Sequence, residues 1–292
     1  MASLPAIEID SKTFLKEHCS LPALPQTLTR IQEIIRDPNA DMATIVELIS
    51  GDPSLLAQIL KIVNSSYYGL PTEVSQVQFA VAFLGLNEVY RMALSLTVIN
   101  TIDIRDKTVL DRFWFHSYYT ALCSKYLAKK YEPQISFEDL WSGSVLHDIG
   151  KLVYIKFFPE HTRKILEYAH EKGCLYSEAI EYFSLPSDTY LGMLLCDHWR
   201  LPEKVKGACQ HHRLEDLSRM DRKTSCFSFN RMVCLGNLAA ILAKDDLNEN
   251  VKQKLAKGIM KELDCSESEF LSLMGDIYDL KHDVEKFITS LN

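Results

Sequence analysis

The sequence predicts an all-α protein, and three observations carry that reading. Apolar residues recur at intervals of three and four, no segment alternates apolar with polar over the length of a strand, and proline and glycine sit where helices begin and end. Leu28, Ile31, Ile34 and Ile35 make the first apolar face, which stops at the Asp37-Pro38 break. Ile45, Leu48 and Ile49 make the second, behind a cap at Asp41. Asp52 then opens a third helix, because its carboxylate can accept an orphan backbone N–H while Pro53, in the first helical position, has no N–H to lose. That helix runs through Leu55, Leu56, Ile59, Leu60 and Val63 to a stop at Gly69-Leu70-Pro71. Further helical patterns cover Phe79 to Leu84, Val89 to Ile99, Phe113 to Leu127, Leu140 to Phe157, Leu191 to Trp199, Val205 to His212 and Met232 to Leu242.

The polar stretch Asp103 to Asp106 divides these patterns into an N-terminal half, 10–104, and a second half, 107–245, that opens on the aromatic run Phe113-Trp114-Phe115. The remainder, 246–292, begins with Leu247, Val251, Leu255 and Ile259 at a spacing of four and continues as a heptad seam: Phe270, Leu273, Ile277, Leu280, Val284, Phe287 and Leu291. Leu271, Met274 and Ile288 widen the seam, which favours packing onto the body of the same chain over a two-stranded coiled coil. A homodimer through these C-terminal helices is the second expectation.

Composition excludes several classes. The chain has 292 residues, 47% hydrophobic and 24% charged, enough for one large or two smaller cores without staples. Its eight cysteines never occur as C-x-x-C and sit mostly at apolar helical positions, the usage of reduced thiols in a cytoplasmic protein. No basic and apolar leader opens the chain, and no run approaches the ~20 apolar residues of a membrane span. Net charge is −7 with the basic residues scattered, the opposite of what a phosphate backbone attracts, so no nucleic-acid partner is expected.

His147 and Asp148, in VLHDIGK, pair the imidazole and carboxylate that hydrolytic metal centres use. His116 lies upstream on FWFHSYYTALCSKYLA; Lys151 is one turn past His147, placed to meet an anionic group. Spacing alone leaves open a plainer reading, in which these side chains only hydrogen-bond to neighbouring helices.

With His211-His212 closing KVKGACQHH, the set resembles the HD-type helical domain, whose active members are metal-dependent phosphohydrolases with a His, His-Asp, Asp ligand set. The N-terminal segments LPALPQTLTRIQEII, DPSLLAQILKIVNSSYYG (with Asp52, Pro53, Asn64 and Ser65) and AVAFLGLNEV (with Gly85) narrow the resemblance to the HDOD domain, an HD-related module of bacterial signalling proteins regarded as non-catalytic. It covers residues 13 to 245. It implies a helical N-terminal bundle packed on an HD-like helical half, here followed by a C-terminal helical extension.

Carried over residue by residue, the resemblance exposes gaps. Aligned on Gly192, Trp199 and Leu201-Pro202, a histidine of the two-metal hydrolases is replaced by Asp188, and the final ligand aspartate falls on Asn237, a neutral carbonyl where an anionic oxygen is wanted. The expected metal set is therefore His116, His147 and Asp148 with a degraded fourth position at Asn237, holding at most a weakly bound divalent ion and no other cofactor. Lys151, His211 and His212 are the expected ligand-binding set. The implied function is a non-catalytic signalling module acting on other signalling proteins. The alternatives are a metal-dependent phosphohydrolase or phosphodiesterase on a nucleotide or cyclic dinucleotide, and a sensor of a phosphorylated ligand. Modules of this kind are often fused to receiver domains, so the chain is readable as part of a longer protein.

Overall fold

The Asp52-Pro53 pair starts a helix in the computed structural model, which describes residues 4–9, 14–17, 19, 21–35, 42–244 and 246–291. Asp52 Oδ1 accepts the Leu55 N–H at 3.0 Å, and Pro53 takes the first helical position. All regular structure among the described residues is helical. An N-terminal group runs α1 (Phe14–Glu17), α2 (Gln26–Ile35), α3 (Met42–Ser50), α4 (Pro53–Val63), α5 (Val77–Leu84) and α6 (Leu86–Ile102). A second group runs α7 (Lys107–Tyr131), α8 (Phe137–Leu146), α9 (Ile149–Phe157), α10 (Pro159–Lys172), α11 (Tyr176–Tyr182), α12 (Asp188–His198), α13 (Glu203–Gln210), α14 (Leu214–Ser218) and α15 (Phe227–Leu242). α16 (Glu249–Leu263) and α17 (Glu267–Leu291) complete the chain. The Asp37-Pro38 break and the Asp41 cap lie outside the described residues, as do the side chains of Leu28, Ile35 and Leu291.

The N-terminal motif residues hold turns and caps. Asn64 fastens the loop after α4 by donating Nδ2 to Val74 O at 2.8 Å and accepting the Val74 N–H at 2.7 Å. Ser65 Oγ donates to Ile62 O, and Gly85 turns the chain between α5 and α6 at φ 86°, a left-handed backbone that glycine adopts without penalty. Asp103, at φ 54°, ends α6, and Asp106 caps α7 through the Val109 N–H. α6 packs on α8 and α9, and side chains of both groups join one buried core.

α7 is the central element, flanked by α8, α15 and α17. It meets α15 at Gly236, where a Cβ would stand 2.2 Å from Ser124 Oγ and 2.7 Å from Ser124 N. The α17 seam is covered by the chain's own body. Phe270, Leu273, Ile277, Val284 and Phe287 are buried, Tyr119 donates its hydroxyl to Ile277 O at 2.8 Å, and the Tyr118 ring stacks on Phe287 at 3.9 Å. Leu271, expected to widen the seam, is instead 63% exposed.

Two expected helices are corrected. Leu140 to Phe157 is two helices, α8 and α9, broken at His147 and Asp148, where Asp148 adopts φ −101° and ψ 14° and leaves the helical conformation. The expected helix to His212 stops at Gln210, leaving both histidines beyond its end. α10, α11 and α14 are not anticipated by the periodicity; α11 and α14 have only seven and five residues, too few to display it. Among the described residues no single helix is long and apolar enough to cross a membrane.

Candidate metal centre

The break between α8 and α9 is what turns His147 and Asp148 toward one point. Both are buried, as is His116 on α7. A second glycine contact brings in the opposite wall: a Cβ on Gly150 would lie 1.9 Å from Asp188 O and 2.7 Å from Gly192 N. Only glycine at this place lets α9 touch the backbone of α12, and that contact carries Asp188, at the start of α12, into the same pocket. His212 enters from the turn after α13, and Asn237 from α15.

Asp148 is the hub. His116 Nε2 stands 3.1 Å and His147 Nε2 3.3 Å from its Oδ2, and His212 Nε2 stands 3.4 Å from its Oδ1. Lys151 Nζ donates to Oδ2 at 2.5 Å. The His147 ring lies between those of His116 and His212, with centroids 5.2 and 5.1 Å away. Ligand-type atoms of His116, His147 and Asp148 lie within 4.8 Å of one another, and so do those of Asp148, Asp188 and His212. The two trios share Asp148. Asp188, expected as a substitute for a lost ligand, thus belongs to the cluster.

The ring orientations follow from backbone acceptors. His147 Nδ1 donates to Ser144 O at 2.6 Å and His212 Nδ1 to Ala208 O at 3.3 Å, since a carbonyl can only accept. In the neutral tautomer each Nε2 then presents a lone pair to the cluster, as metal-ligating histidines do. The contacts to Asp148 are close but out of line for hydrogen bonds. His116 Nε2, His147 Nε2, Asp148 Oδ1 and Asn237 Oδ1 are buried with no hydrogen-bond partner. Such orphaned atoms are uncommon inside proteins, and those of His116, His147 and Asp148 belong to side chains clustered closely enough to fit a divalent cation. His116, His147 and Asp148 are the residues that would hold it, with His212 and Asp188 on the far side of the shared carboxylate.

Protein cations already oppose the carboxylates. Arg213 donates to Asp188 Oδ1, which also accepts the Thr189 N–H at 3.1 Å. Burial drives His116 well below its ordinary value, with Lys244 adding to the effect and Asp148 only partly offsetting it. Burial likewise pulls His212 down to about 3. Burial would raise the Asp148 carboxyl, yet the imidazoles and the Lys151 ammonium that surround it outweigh burial and hold the group well below the usual carboxylate range. Burial and the neighbouring Lys151 bring Lys244 down to about 8. Asn237 donates Nδ2 to His212 O at 3.0 Å, so its amide clamps the turn that carries His212.

The expected ligand-binding trio divides. Lys151 and His212 stand in the cluster, whereas His211 is half-buried beside Asp216 and outside it. Arg213 and Lys244 were not legible as site residues in the sequence. Arg213 directly follows the His pair, a signal that becomes informative only once Asp188 is known to face it.

Comparison with known proteins agrees with this architecture. A candidate phosphohydrolase from Shewanella amazonensis has 19% identity and TM-score 0.69, covering 97% of this chain and 99% of that one. A candidate signal transduction protein from Marinobacter aquaeolei has 20% identity and TM-score 0.70, covering 97% of this chain and 62% of that one. An HDOD domain protein of unknown function from Geobacter sulfurreducens has 20% identity and TM-score 0.68, covering 96% and 98%. In sequence, an uncharacterized protein of Treponema pallidum is 29% identical over 199 residues, 66% of this chain but 38% of that protein's length. The HDOD domain family matches residues 21–214. By fold and by family match, this chain belongs to the HDOD domain family.

Proposed function

We propose that the chain is a cytoplasmic, non-catalytic regulatory module that acts in signal transduction through contacts with other proteins. One observation carries the reading: each carboxylate of the cluster is countered by a cation of the protein itself, Lys151 on Asp148 and Arg213 on Asp188, while the remaining oxygen comes from the neutral Asn237. A divalent ion would supply Lewis-acid chemistry, lowering the pKa of bound water. That chemistry needs a tightly held ion, and here the ion competes with Lys151 for Asp148 Oδ2. A second copy of the chain is a further partner, and with the α17 seam covered it would have to use the outer side, where Leu271 and Tyr278 are exposed.

The opposing reading, a metal-dependent phosphohydrolase or phosphodiesterase on a nucleotide or cyclic dinucleotide, draws on the Nε2 lone pairs of His147 and His212 and on the orphaned Asp148 Oδ1. Elemental analysis of protein purified without chelator, joined to a hydrolysis panel with added manganese, separates the two. The regulatory reading expects no turnover that depends on His147. Near-stoichiometric metal with hydrolysis that disappears in His147→Ala would overturn it.

A further inference from the structure

A cleft of about 330 Å³ opens beside the cluster between α7, α9, α10 and the end of α15, and reaches His116 and Asp148. Its walls are mostly apolar, from Phe113, Ile155, Leu166, Leu175, Ile241 and Leu247. Small-molecule sites are commonly ~300–1,000 Å³, largely apolar, with a few placed polar groups. Its cations are Lys151, Lys244 and, on the exposed rim, Arg112; the two lysines reach inward, and they differ. Lys151 is engaged by Asp148 at 2.5 Å. Lys244 is half-buried, its Nζ lies 5.8 Å from the Phe115 ring centroid, and among the described residues no carboxylate stands within ion-pair distance of it. Among the described residues, Asp246, on the exposed rim, and Asp148 are the acids that line the cleft; Asp148 is already taken by Lys151. A partly buried ammonium without a counter-ion is unfavourable, and an anion entering the cleft removes that penalty.

We propose that this cleft binds an amphipathic organic anion, with a carboxylate or phosphate head on Lys244 and an aliphatic or aromatic body against Phe113, Ile155, Leu166 and Leu247. Position favours such a ligand over a bare anion, because the apolar walls gain from burial only what a hydrocarbon body brings. The inference deepens the regulatory reading by naming its input, and it rests on that reading only for the consequence of binding. The site itself stands whether or not the cluster turns anything over.

Calorimetric titration of the full chain tests it with four probes: octanoate and phenyl phosphate, against acetate and inorganic phosphate. At least one of the first pair is expected to bind about tenfold or more tightly than its bare head group, and which of the two prevails identifies the head. Lys244→Met, which keeps an apolar stem, and Leu166→Glu, at the exposed rim, should each weaken that binding by about tenfold or more, the scale of one charged hydrogen bond. Both variants are to be checked for an unchanged melting temperature, and either one that folds suffices. Absence of binding by both amphipathic probes, equal affinity for the bare head groups, or unaltered affinity in the folded variants would overturn the proposal. Hydrolysis of phenyl phosphate dependent on His147 would instead overturn the regulatory reading and leave the cleft assignment intact.

Discussion

Replacing Gly150 by alanine is expected to force apart two helices that touch through their backbones. The new Cβ would stand 1.9 Å from Asp188 O, against the 3.4 Å at which ordinary contact begins, a shortfall of about 1.5 Å. Gly192 N, at 2.7 Å, closes the other side. Both obstacles are main chain, so no rotamer change relieves them, and a close-packed interior transmits the displacement. Overpacking costs typically ~1–3 kcal/mol. Alanine recovers little helix propensity at the second residue of α9, since the full ~1 kcal/mol belongs to helix interiors. A net loss of about 2 kcal/mol lowers the melting temperature by roughly 4–8 °C at ~2–4 °C per kcal/mol. Thermal unfolding followed by far-ultraviolet circular dichroism measures it. Gly275→Ala is the control: it lies inside α17 with nothing within 4 Å of the place its methyl would take, and should raise the melting temperature by roughly 2–4 °C. A Gly150→Ala protein that melts with or above the wild type would refute the account of how Asp188 reaches the cluster.

Three further outcomes are expected. In chelator, stability should fall as pH drops below about 6.5: His116 and His212 stay neutral in the fold, His212 down to about 3, while the unfolded chain takes up protons near 6.5. The unfolded state then binds more protons, so each histidine contributes up to ~1.4 kcal/mol per pH unit of loss, and the depressed Asp148 carboxyl adds its own loss only below about pH 4; urea melts at several pH values should give a shallower slope for His212→Gln, and an identical slope contradicts the assignment. Asn237→Asp removes the donor to His212 O and adds a buried anion, so the chelated protein should lose about 1–3 kcal/mol while manganese raises its melting temperature more than that of the wild type; equal responses to manganese argue against position 237 as a deficient ligand. Phe287→Ala deletes a buried ring stacked on Tyr118 and should cost about 3–5 kcal/mol, with faster amide hydrogen exchange along α17; unchanged exchange there would show that the ring does not anchor the helix.

Much of the fold was legible because its signals are local. The Asp52 cap and the Asp103 to Asp106 connection each depend on a few neighbouring residues, and each stands where the sequence puts it. Periodicity failed where helices are short, as in α11 and α14, and at His147-Asp148, where an unbroken apolar pattern conceals a change of direction. The trio His116, His147 and Asp148, expected as metal ligands, was readable as residue types at a spacing, and its ligand-type atoms lie within 4.8 Å of one another.

The sequence by itself determined the helical class, the family and the chemistry on offer at the cluster, since these reside in residue identity and in contacts within a turn or two. Only the tertiary structure decided who faces whom: Asp188 in the cluster and His211 out of it, Arg213 and Lys151 against the two carboxylates, Lys244 with no carboxylate among the described residues at ion-pair distance. Those outcomes hang on backbone contact between distant segments, at Gly150 with α12 and Gly236 with α7, and a steric fit between remote surfaces leaves no periodic trace along the chain.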